Sequence, residues 1–71
     1  MACKVTLVVS DGREFPLGTF LEGKKSDTEI ALTAARRYKN LVGKFQCHGH
    51  SLRVERKGGA VVVPVSREWV L

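Results

Sequence analysis

What the chain lacks narrows its class before any motif is read. No apolar segment approaches the ~20 residues a membrane-crossing helix needs, and Lys4 interrupts the apolar start that a secretory leader requires. The expectation is a cytoplasmic protein with no membrane partner. Cysteine is scarce. Cys3 and Cys47 could make one bridge at most, far from the framework of a small secreted scaffold, so reduced thiols are expected. Acidic residues are few, seven against twelve Lys and Arg, which leaves a formal charge of +5. That balance favours encounters with nucleic acid or an acidic protein surface, and it equally serves solubility. Internal repeats, low-complexity runs and linkers are missing, so residues 1–71 make one domain. A chain this short buries only ~60% of the surface its unfolded form exposes. The usual remedies are a disulfide, a metal, or pairing with a second copy as a homodimer.

Catalytic patterns are missing too. No motif pairs carboxylates for acid–base work, and Gly43-Lys44 and Gly58-Gly59 lack the spacing of a phosphate loop. In Cys47-His48-Gly49-His50, adjacent Cys and His side chains on a strand point to opposite faces, which argues against a thiolate activated by His48. His48 and His50 would share a face, and Cys3 or Cys47 could add a thiolate. The second ligand pair of a structural zinc site is nevertheless missing. Packing at the rim of the core is the better reading of these histidines, and no metal or other cofactor is expected. The protein reads as a non-enzyme.

The stretch from Ser26 to Gly43 reads as one helix, about Asp27 to Val42. Ser26 and Glu29 have capping-box spacing, and Asp27 places negative charge where the helix dipole favours it. At about 100° per residue, Ile30, Ala31, Ala34, Ala35, Tyr38, Leu41 and Val42 fall in one stripe, the core-facing side. Gly43 is the expected stop.

Around it the pattern is extended. Cys3 to Ser10 alternates, with Cys3, Val5, Leu7 and Val9 on one face. Asp11-Gly12 predicts a tight primed hairpin turn with positive φ at both central residues. The second strand leaves at Arg13; Pro16 makes it an edge or breaks it, and Gly18 invites a bend or bulge. Phe45 to Arg56 reads as a long strand interrupted near Gly49. After the turn at Lys57-Gly58-Gly59, Val61 to Val63 is apolar on both faces, as in a central strand. Ser66 to Leu71 is either a short fifth strand or a packed tail carrying Trp69. The fold class is therefore α+β, a single helix on an antiparallel sheet in the order β-β-α-β-β. Val8, Val62 and Trp69 would place apolar groups on the face away from the helix. That face is either an association surface or covered by the Phe20 loop folded beneath it.

The basic residues form the best candidate surface. Arg36, Arg37, Lys39 and Lys44 gather near the helix C-terminus, where cations also stabilise the dipole. Lys24 and Lys25 lie near its start, and Arg56 and Lys57 at the last hairpin. Leu32 shares the exposed strip of Arg36 and Lys39. An apolar anchor with a basic rim suits a protein partner better than a nucleic-acid groove. Neither an aromatic stacking motif of the RNP type nor a helix-turn-helix is present.

Ala35-Arg36-Arg37, Gln46-Cys47, His48-Gly49, Leu52-Arg53-Val54-Glu55, the turn at Gly59, and Arg67 with Trp69 occur in that order. This run, within residues 28 to 70, resembles a family of small phage-encoded anti-CRISPR proteins that inhibit the type I-F surveillance complex. The pattern departs near Phe45 and around Pro64 to Ser66, and the first half has no counterpart. The resemblance implies a stoichiometric inhibitor that sits on a nucleoprotein complex in a bacterial host and obstructs target DNA. By position it nominates Arg36, Arg37 and Arg53 as contacts. The alternative is a direct, sequence-nonspecific nucleic-acid-binding protein using the same basic surface.

Overall fold

A computed structural model describes residues 2–21, 23, 25–45 and 49–70, with only the backbone of Arg67 and Val70. Strands β1 (Ala2–Val9) and β2 (Glu14–Leu21) form a hairpin, followed by helices α1 (Asp27–Arg37) and α2 (Lys39–Lys44). A second hairpin, β3 (His50–Arg56) and β4 (Gly59–Pro64), leads to a 3-10 turn at Arg67–Val70. The four strands make one antiparallel sheet in the order β2-β1-β3-β4. The α+β class is as expected; the single helix and the fifth strand are not found among the described residues. No helix among them is long and apolar enough to cross a membrane.

Register explains the core. Phe15, Leu7, Leu52 and Val63 stand in one row across the sheet, and Val5, Val54 and Val61 in the next. With Cys3, Val9, Leu17 and Phe20 these side chains meet Ile30, Ala31, Ala34, Ala35 and Val42 of the helices. Leu17 and Phe20, an odd number of residues apart, both reach this face because of a bulge. Val5 pairs with Gly18 and Thr6 with Pro16, so Leu17 is the extra residue, and Phe20 returns to the same side opposite Cys3. Gly18 takes φ +102°, and a Cβ there would touch nothing, so its requirement is purely backbone. Gly18→Ala is expected to cost about 1–2 kcal/mol in urea unfolding, the penalty for an L-residue at positive φ. No loss would mean that the bulge relaxes.

The first hairpin differs from the expected primed turn. Only Gly12 has positive φ. Gly12 N–H donates to the Val9 carbonyl, and Val9 N–H to that of Arg13, both at 2.9 Å. The loop is thus three residues, Ser10–Asp11–Gly12, with glycine alone meeting the left-handed requirement. The Asp11 carboxylate accepts from Arg13 N–H at 3.0 Å and Arg13 Nε at 2.6 Å, which stiffens it.

The helical region starts as expected, with Ser26 Oγ accepting from Glu29 N–H at 3.2 Å. It then breaks at Tyr38, whose φ −112° and ψ 39° end α1 and start α2. The cause lies in the stripe itself. Ala31, Ala34 and Ala35 are small and fully buried, so they hold α1 close to the sheet. A phenol ring in the same stripe needs a wider gap, and the break carries Tyr38 outward to 38% exposure while Val42 turns in. Gly43 is no stop; it lies inside α2, which ends at Lys44 with Phe45 as its cap. Phe45, expected to open a strand, is buried instead and stacks on Phe15 with centroids 5.1 Å apart.

β4 is an edge strand, not a central one, and Val61 and Val62 are exposed on it. Trp69 packs half-buried on the helix side, not the open face, because its 3-10 turn lies against α1 and α2. Phe20 also lies on the helix side, so nothing from that strand folds beneath the sheet. Among the described residues the open face carries Lys4, Val8, Glu14, Arg53, Glu55 and Val62, so charged and apolar side chains are mixed on it.

Candidate interaction surface

The cap at Ser26 and the break at Tyr38 fix which helix side chains reach solvent. Arg36 and Arg37, in the last turn of α1, are exposed, as are Lys39 and Lys44 of α2. Leu32 is half-buried rather than fully exposed. The break gathers Arg36, Arg37, Tyr38, Lys39, Asn40 and Leu41 around one shallow depression, and no carboxylate is among these lining residues. Tyr38 thus stands in the middle of the basic cluster, with three cationic neighbours and an amide.

Arg37 is split from Arg36 by its packing. Its guanidinium lies 5.2 Å from the Phe20 ring centroid, a cation–π contact on the β2 side of α1. There it borders a hollow of about 290 Å³ with Thr19, Phe20, Leu21, Lys25, Ile30 and Thr33. Leu21 is 77% exposed at its rim.

Other nominated cations lie elsewhere. Arg53 is on the open face of the sheet, where it donates to Glu14 at 2.7 Å and Glu55 at 3.0 Å. The hydrogen bond to Glu14 is the main cause that holds its pKa above the ordinary value. Its charge is met internally, and it does not share the helix surface. Arg56 is on the helix side and ties β3 to α1, through Asp27 at 2.6 Å and the Lys25 carbonyl at 3.1 Å. Lys57 is exposed in the β3–β4 turn. Lys24 lies outside the described residues.

The Cys-His stretch is covered only in part, since Gln46, Cys47 and His48 lie outside the described residues. His50 is half-buried opposite Val9, on the core side, and its Nε2 has no partner among the described residues. Cys3 cannot join it. The thiol lies at the far end of β1 and donates weakly to the Phe20 carbonyl at 3.5 Å, roughly 20 Å of strand away from Val9. Among the described residues no group of three or more His, Cys, Asp or Glu is placed to hold a metal ion.

Sequence reasoning found the cationic positions but missed Tyr38, which helical periodicity places at the centre of the buried stripe. The available signal was the size mismatch between Tyr38 and three alanines on one stripe. No family model, curated protein or solved structure matches this chain.

Proposed function

We propose that this protein is a non-enzymatic interaction module that works by occupying a nucleoprotein assembly through the α1–α2 junction. The observation that carries this reading is the outward turn of Tyr38 among Arg36, Arg37, Lys39 and Asn40. Tyr and Arg are the residue types that most often dominate protein interfaces, because they offer large rigid contact area and directed hydrogen bonds. Among the described residues that lining holds no carboxylate, which leaves its positive charge available to an acidic or nucleic-acid-bearing partner. The resemblance supplies the more specific form: a phage-type inhibitor acting in the bacterial cytoplasm, seated on a CRISPR surveillance complex and obstructing target DNA.

Binding is expected to fail selectively. Arg36→Glu with Lys39→Glu should weaken partner capture roughly tenfold or more, chiefly through slower association. The melt should shift by less than ~0.5 kcal/mol, since both side chains are exposed. Arg37 is a poorer probe, because its reversal also removes the contact with Phe20. Leu32→Ala should speed dissociation, with a modest stability loss from its half-buried position. The measurement is affinity capture from nuclease-treated bacterial lysate, followed by kinetics on the recovered complex. Full binding by the Arg36/Lys39 reversal would sink the assignment of this surface.

A second reading, direct binding of single-stranded nucleic acid, is favoured by the same Tyr38. An aromatic ring among cations is the usual platform for an unpaired base. Here the double reversal should reduce the slope of log affinity against log salt by about 1.4 or more, and Tyr38→Ala should weaken binding while Leu32→Ala changes nothing. Capture that survives nuclease excludes this version.

A further inference from the structure

The two edges of the sheet are guarded very differently. β2 carries Pro16 in mid-strand, the Leu17–Gly18 bulge and the exposed charge of Glu14, three features that block a further strand. β4 has no charge and no bulge, and its register with β3 runs unbroken from Arg56–Gly59 to Ser51–Pro64. Ala60, Val61 and Val62 are all exposed along it.

Ladder alternation shows which groups point outward. Val65 N–H donates to the His50 carbonyl, so odd-numbered β4 residues face β3. Ala60 and Val62 then turn their N–H and C=O groups away from the sheet. Pro64, the next residue in that phase, has no N–H to offer and closes the edge.

We propose that β4 is a self-association edge: two copies pair their β4 strands antiparallel about a two-fold axis through Val61. In that register each Ala60 meets the partner's Val62, and all four outward N–H groups of the two segments are used. Val61 meets its own copy on the helix side, and the paired sheets form one eight-stranded layer with all helices on one face. The strand suits itself as partner because it is uncharged, so pairing sets no like charges opposite one another. A head-to-tail arrangement of β4 on β2 is blocked by Pro16 and the bulge, which leaves the closed dimer rather than a fibre.

The test is sedimentation equilibrium of the intact chain at rising concentration, at low and high salt. The expected result is a species of twice the 7.8 kDa chain mass. It should strengthen with salt, because each copy carries +5 and only that long-range repulsion is screened. Val62→Lys and Ala60→Pro should each return the monomer, with circular dichroism unchanged for Val62→Lys. A wild type that stays monomeric into the millimolar range at both salts would overturn the proposal. So would a dimer that survives both substitutions, or one that weakens with salt. Slowed hydrogen exchange at Ala60 and Val62 only when another protein is added would assign the edge to a foreign strand instead.

Discussion

Ala34→Asp is expected to leave no cooperative melt. Ala34 is fully buried on α1, in one core cluster with Ile30, Ala31 and Val42. Its neighbours are apolar and close, because the alanines set the helix–sheet spacing. An aspartate there must either be buried unpaired or push the helix away. Burying an unsatisfied polar group costs about 1–3 kcal/mol even when protonated, and more when charged. Overpacking adds about 1–3 kcal/mol. A domain of this size holds near the low end of the usual ~5–15 kcal/mol, so the combined penalty consumes most of it. Thermal unfolding followed by circular dichroism checks this, and a near-wild-type transition would show that Ala34 is not in the core.

Phe45→Ala is expected to be the costliest truncation outside the sheet. The ring is buried at the end of α2, stacks on Phe15 at an interplanar angle of 26°, and lies under the Arg13 guanidinium at 4.8 Å. Removing a buried phenyl group costs about 3–5 kcal/mol, the transfer energy plus the cavity left behind. At ~4–8 °C per kcal/mol for a domain this small, Tm should fall by more than about 10 °C. Phe15→Ala should cost less, because that ring is only half-buried. Equal losses at the two positions would mean that Phe45 contributes little beyond the stack.

These two residues mark what could be read from the sequence and what could not. Ala34 was legible because it lies on a repeating apolar stripe, and periodicity reports such positions directly. The capping serine and the bulge glycine were legible for a similar reason: each meets a local backbone requirement. Phe45 and Tyr38 were not. Their places depend on the distance between α1 and the sheet, which three alanines set together and no single window of sequence displays. The rank of β4 was misread because Val61–Val63 is apolar whether a strand is central or an exposed edge; only the pairing partners decide. At the candidate surface, charge located Arg36 and Lys39. Whether a cation is already matched, as Arg53 is by Glu14 and Glu55, depends on cross-strand neighbours distant in sequence.

The strand order has a kinetic consequence. Each hairpin closes a loop of only two or three residues, so β1–β2 and β3–β4 can form early and independently. The seam between β1 and β3 is different: joining Val9 to His50 closes roughly forty residues of chain, at an entropy cost of about 3 kcal/mol beyond a constant. Seam formation is therefore the step that commits the chain, and it brings Leu7 and Leu52 together in the core. Separation along that seam exposes the middle of the core at once. Amides bridging β1 and β3 should exchange only through global unfolding, more slowly than those at the Asp11 turn, and the opposite ranking would place the commitment step elsewhere.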